Sequence, residues 1–141
     1  MQGQYYNLDA TGHLQVQNSG QDSAFGERTG IAGFAYFPDQ TGHGYVRLGE
    51  QASFPKEPNY RIVDTDYSTY SIVYGCGKIG TSQLFLLTRE AVISQELYDF
   101  MIATVKEKLP NFDLGTLHQR DYQGPLCTYA PMPDAALSFL Q

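Results

Sequence analysis

The chain has 141 residues, 42% of them apolar, and fifteen acids against nine bases give a net charge of −6. This length suits one domain burying about 68% of its unfolded surface, enough for a core without staples. The acidic balance repels phosphate backbones and disfavours nucleic acid as a partner, and no apolar run approaches the roughly 18 residues that span a bilayer. Eleven tyrosines, eight phenylalanines and no tryptophan suit strand surfaces and polar-tipped pockets, since Tyr joins a β-favouring ring to a hydroxyl that needs a partner.

The opening MQGQYYNLD has neither the basic n-region nor the apolar h-region of a signal peptide. GQYYNLD runs into a turn at Ala10-Thr11-Gly12, and HLQVQ follows with Leu14 and Val16 alternating, which predicts a hairpin with one apolar face. Ser19-Gly20-Gln21-Asp22-Ser23 reads as a loop. GERTGIAGFAYF sets Ile31, Gly33 and Ala35 against Ala32, Phe34 and Tyr36, so both faces are partly covered. Pro38-Asp39-Gln40-Thr41-Gly42 turns the chain, HGYVRL supplies a strand, and FPKEPN connects it to RIVDTDY, YSIVYGC and TSQLFLLTR. About seven strands punctuated by turns predict an antiparallel barrel or sandwich, not an α/β alternation.

SQELYDFMIATVKEKLP breaks the pattern and predicts one helix over about 94–109. Ser94 is a preferred N-cap, Glu96 suits the first turn, and Pro110 stops the run. Leu97, Phe100, Met101, Val105 and Leu109 make one apolar stripe, the mark of a helix packed on a core. NFDLGTLHQRDYQGPLC predicts one more short extended piece, and PMPDAALSFLQ is a tail. No internal repeat, low-complexity tract or long linker divides the chain.

Cys76 and Cys127 fit a single disulfide, two free thiols, or bonds to something outside the chain. His13, His43 and His118 stand apart with no ligand-like interval, so no metal site is expected. Between two strand-like runs lies Asp64-Thr65-Asp66-Tyr67-Ser68-Thr69, with neither Gly nor Pro. Short polar side chains such as Asp66 and Ser68 can close such a bend through their own backbone. Asp64 and Asp66 therefore read as turn and rim residues. No catalytic pair is assigned: no candidate nucleophile or oxyanion donors stand near them, and a raised carboxyl pKa needs burial. Spacing puts no base beside Cys76 that would activate its thiol as a nucleophile.

Thr65-Asp66-Tyr67, preceded by RIV and followed by a run ending Tyr74-Gly75-Cys76, resembles the second signature of the lipocalins. Leu86-Leu87-Thr88-Arg89 resembles their third, and Asp113-Leu114 through Gln123 and Cys127 is similar to the family's segment after the helix. The likeness runs over roughly residues 3 to 127 and leans to the apolipoprotein D-like and invertebrate bilin- and carotenoid-binding branch. It implies an all-β, antiparallel up-and-down barrel of about seven to eight strands over residues 1–127. One C-terminal amphipathic helix packs outside, and 128–141 form the tail. The family's Gly-x-Trp signature is missing, and Gln4-Tyr5-Tyr6-Asn7-Leu8 falls on its second strand. The resemblance thus implies a barrel lacking its first strand, through truncation or because another chain supplies it. In that branch the partners of both cysteines lie in or beside the missing piece. Arg89, which in the family lies across the Trp for about 1 kcal/mol, must use a Tyr, a carbonyl or another chain.

Alternate residues of a barrel point inward. Anchored on the second signature, the inward set is Tyr6, Leu8, Leu14, Val16, Ile31, Gly33, Ala35, Val46 and Leu48, then Tyr60, Ile62, Ser71, Val73, Phe85 and Leu87. Small residues leave room, and Tyr and Ser supply polar handles, although the same alternation fits a packed interior. Tyr5, Ile72 and Tyr74 point outward, toward the helix stripe or a partner. The resemblance implies non-enzymatic binding, for transport or storage, of a small hydrophobic molecule of the fatty acid, retinoid, bilin or carotenoid class, with no required cofactor and with secretion. The alternative is a structural subunit of a larger assembly, its open edge covered by a partner chain or a second copy.

Overall fold

The computed structural model describes residues 2–8, 10–21, 28–76 and 82–117. Among the described residues there are seven strands: β1 (Gln2–Leu8), β2 (Leu14–Gln21), β3 (Arg28–Tyr36), β4 (His43–Leu48), β5 (Tyr60–Thr65), β6 (Tyr70–Cys76) and β7 (Ser82–Thr88). The helix α1 (Gln95–Lys108) and a 3₁₀ turn (Leu114–Thr116) follow. Strands adjacent in sequence are hydrogen-bonded neighbours throughout. Contacts divide the described residues into a first unit, those up to Tyr36 with Val46–Pro55, and a second, Phe37–Tyr45 with those from Lys56 on.

In the first unit β1 pairs with β2 from Gln2↔Gly20 to Leu8↔Leu14, and β2 pairs with β3 from Leu14↔Ala35 to Gln21↔Arg28. The predicted hairpin forms around Gly12, whose φ of 82° is left-handed backbone that glycine adopts freely. The loop predicted at Ser19–Gln21 does not form there, because β2 continues to Gln21. Ser19 and Gly20 find ladder partners on both sides, and two-sided pairing outweighs their turn preference. Asp22 and Ser23 lie outside the described residues. A side chain at Gly33 would overlap the Arg47 carbonyl oxygen and come within 2.9 Å of Leu48. The space at Gly33 is therefore filled by β4 and is not left open, as the sequence had suggested.

In the second unit β5, β6 and β7 form a continuous antiparallel ladder. A bulge between Ile62 and Asp64 inserts Val63, so that Val63 and Asp64 both stand opposite Ile72 on one face. Ser94 caps α1, its hydroxyl accepting from the Leu97 N–H at 3.2 Å. Glu96 stands in the first turn and Lys106 and Lys108 in the last, where the macrodipole favours each sign. Met101 and Val105 of the stripe close with Ile72 into a core at 0% exposure, ringed by Val63, Tyr70, Leu84, Leu86, Leu97 and Leu109. Phe100 is half exposed but sets its ring edge-on to Tyr70 at 5.5 Å. The segment after the helix, expected to be extended, instead opens with the 3₁₀ turn. The Asp113 carboxylate accepts from the Gly115 N–H at 2.9 Å, a local bond that competes with extension. Its remainder, with Cys127 and the 128–141 tail, lies outside the described residues.

Candidate functional site: two apolar faces

Register assigns the side chains to faces, because directly paired residues of an antiparallel ladder share one. In the second unit three rows lie on the face away from the helix: Tyr60, Gly75 and Gln83; Ile62, Val73 and Phe85; Thr65, Ser71 and Leu87. Val73 is buried, whereas Tyr60, Ile62, Ser71, Phe85 and Leu87 are only partly so. Phe37 joins this face, since a side chain at Gly44, which pairs with Tyr60, would run into its ring. The Phe37 ring meets Tyr60 edge-on at 5.9 Å. Sequence reasoning left Phe37 unassigned at the end of the run GERTGIAGFAYF; in the structure it lies one residue past β3.

The opposite face of this unit is occupied by the helix and ends in a polar tie. Lys108 Nζ lies 2.7 Å from Asp64 Oδ1, and the Tyr70 hydroxyl donates to Asp64 Oδ2 at 2.6 Å. The bond from Lys108, then that from Tyr70, holds the Asp64 carboxyl below the usual carboxylate range. The same Asp64 bond raises Tyr70 to about 12. Asp64 is thus a strand residue that anchors the helix, not a turn residue. Its alternation partner set is altered by the Val63 bulge, which the sequence does not announce.

The β5–β6 bend is closed by Asp66. Its Oδ1 accepts from the N–H groups of Ser68, Thr69 and Tyr70 at 2.7–3.1 Å, and its Oδ2 accepts from the Thr69 hydroxyl. The Thr69 bonds foremost keep its carboxyl well below the usual range. Tyr67 takes φ 64°, the left-handed conformation that glycine would otherwise supply. Thr65 ties the two sides, accepting from the Tyr67 N–H and donating to the Tyr70 carbonyl. Arg89 extends the β6–β7 ladder through its N–H to the Thr69 carbonyl and is exposed.

In the first unit Leu14 and Ala35, then Val16 and Gly33, share a face, with Leu8 and Tyr6 opposite them in register and Ile31 two residues before Gly33. Val16 and Ala35 are buried; Leu14, Val46 and Leu48 are partly so. The other side of β3 carries Phe34 and Tyr36. There the Arg47 guanidinium lies 4.6 Å from the Phe34 ring centroid and 5.4 Å from that of Phe54. Phe54 meets Tyr36 edge-on at 4.8 Å, and His13 joins the same group. Arg47 also donates to the Gln51 carbonyl, while Gln51 Oε1 accepts from the Leu48 N–H, so the 49–55 loop is held down. Among the described residues the guanidinium stacked on rings is that of Arg47, not Arg89.

Cys76 is exposed at the end of β6 and bonded to no described cysteine. Among the described residues no group of three His, Cys, Asp or Glu side chains is placed to hold a metal ion, and no helix is long and apolar enough to cross a membrane.

Comparison with known proteins agrees with this architecture. Apocrustacyanin C1, known from a crystal structure, superposes with a TM-score of 0.58 at 22% identity, over 79% of this chain and 61% of that one. The chain thus spans less than two thirds of that relative, and the likeness establishes the fold. No curated protein sequence matches. The family model described as a lipocalin-like domain matches residues 2–122. An up-and-down antiparallel ladder, with one α-helix among the described residues, and a family match over residues 2–122 place this chain in the lipocalin-like domain family.

Proposed function

We propose that the chain is a non-enzymatic carrier that holds a small hydrophobic molecule, for transport or storage, inside a lipocalin β-barrel. The observation that carries this reading is the distribution of cover. In each unit one face is closed by the chain's own helix or aromatic clasp, and the other carries apolar side chains, of which Val16, Ala35 and Val73 are buried and Leu14, Tyr60, Ile62, Phe85 and Leu87 only partly so. The lining would comprise Tyr6, Leu8, Leu14, Val16, Ile31, Ala35, Val46, Leu48, Tyr60, Ile62, Ser71, Val73, Phe85 and Leu87. Affinity would come from apolar burial at about 25 cal/mol per Å², with Tyr60 or Ser71 orienting a polar group. Fatty acid, retinoid, bilin and carotenoid are the ligand classes that suit such a lining, and family membership supports an extracellular site of action. Native mass spectrometry of protein from its source tests this. A single small molecule, released by organic solvent, is expected; protein free of ligand that also takes up neither retinol nor palmitate would overturn it.

A second reading is favoured by the ends of the ladder. β1 and β7 are its terminal strands, so among the described residues each has one row of backbone groups without a ladder partner, a template for another chain. In that reading the chain is a subunit of a larger assembly, completed by a partner strand or a second copy. Light scattering across a concentration series separates the two, since a carrier that stays monomeric throughout excludes the assembly.

A further inference from the structure

We propose that the outer edge of β7 docks the β7 of a second copy, the two strands running antiparallel about a two-fold axis at Phe85. This rests on the assembly reading and deepens it, naming the edge, the partner and the register. Among the described residues β7 has no ladder partner beyond β6. Its sequence, SQLFLLT, carries none of the devices that blunt an edge: no Lys or other charge, no Pro, and no bulge against β6. Leu84 and Leu86 pack against the helix core on one face, and Phe85 and Leu87 lie on the other. An uncharged, regular edge that is apolar on both faces is a template for another strand.

Two hydrogen bonds fix which residues turn outward, because an antiparallel strand points the N–H and C=O of one residue to one side and those of the next to the other. The Arg89 N–H reaches the Thr69 carbonyl, toward β6, so Leu87, Phe85 and Gln83 face β6 as well. The Cys76 N–H reaches Asn59 on the β5 side, so Gly75, Val73 and Ser71 face β7, where Gln83, Phe85 and Leu87 meet them. Ser82, Leu84, Leu86 and Thr88 therefore turn their backbone groups to the outer edge. With the axis at Phe85, Ser82 stands opposite Thr88 of the copy and Leu84 opposite its Leu86, so every outward residue is paired. An axis at Leu84 leaves out Thr88, and one at Leu86 leaves out Ser82. Leucines on the helix side then meet leucines, the Phe85 rings lie side by side, and no charge faces a like charge. The net charge of −6 sets two copies to repel, and an uncharged strand lets them approach. This contact also closes on itself, whereas β7 against the β1 of a copy leaves one of each strand open at every step.

Light scattering of the whole chain across a concentration series should show a dimer. By amide exchange Leu84 and Leu86 should be slow in that dimer and fast on dilution to monomer, while Phe85 and Leu87 stay slow in both. Ser82→Pro removes an outward N–H and keeps the β6 bonds. It loses one bond on each side of the axis and should weaken the dimer at least about tenfold. Ser82→Cys and Thr88→Cys, each with Cys76→Ser and Cys127→Ser, should yield a disulfide-linked dimer only when mixed, since a hydrogen-bonded pair stands about 5.5 Å apart at Cα. A dimer that Ser82→Pro leaves intact, cross-linking of either variant alone, none on mixing, or slow Leu84 and Leu86 amides in the dilute monomer overturns the β7 assignment and leaves the assembly reading standing. A chain that stays monomeric throughout the series overturns both.

Discussion

The two units cover one side of their strands by different means, a helix in the second and a loop-borne clasp in the first. The helix places Met101 and Val105 on Ile72, all at 0% exposure, and each such side chain contributes about 1.5–3 kcal/mol on burial. The clasp sets Arg47 over Phe34 and Phe54, contacts worth about 0.5–1 kcal/mol each at a partly wet site. A sheet face can therefore be closed cheaply by rings and a guanidinium, or firmly by an amphipathic helix, and either leaves the other face to its own chemistry. In the first unit β4 also approaches β3 closely at Gly33, where no side chain fits.

Five substitutions test that contrast. Gly33→Ala should have the largest effect, lowering stability by more than about 3 kcal/mol in urea, since the new methyl meets backbone that cannot move aside. A loss below about 1 kcal/mol there would break the idea that strand approach secures the first unit. Met101→Ala should cost about 3 kcal/mol by the cavity it leaves beneath the helix. Phe54→Ala, which dissolves the clasp, should cost less, about 1.5 kcal/mol; parity with Met101→Ala in the same urea titration would erase the distinction between the two covers.

Asp64→Asn should cost about 1 kcal/mol at neutral pH, because Asp64 is only 23% exposed and holds both Lys108 and Tyr70. The sign follows from its lowered pKa. The stabilisation is complete above the unfolded value of about 3.9 and is lost as pH falls through the lower folded value. Urea titrations of both proteins should therefore converge on acidification, and a gap that persists in acid would show that the charge is not what matters. Tyr67→Gly should have the smallest effect and the opposite sign. It gains about 0.5 kcal/mol, seen as a higher Tm, by releasing a side chain from left-handed backbone.

The order of strands, the hairpin at Gly12 and the capped helix were legible because each depends on neighbours in sequence: a period of two, a period of 3.6, Ser94 at the cap and Pro110 after the end. Which residues of β5, β6 and β7 share a face was legible for the same reason, except at Val63, where a bulge puts two successive positions on the helix side. Phe37 was not legible as a member of the apolar face. It acts from a loop across Gly44.

By itself the sequence determined an all-β meander with one helix, since alternation and capping are local and the chain's apolar residues are spaced for nothing else. Tertiary structure alone decided that Ser19–Gln21 would be strand instead of loop, that Gly33 would be filled by β4, and that Asp64 would moor Lys108. Those outcomes are contacts between distant segments, whose free energy exceeds the few tenths of a kcal/mol, about, by which local preferences differ.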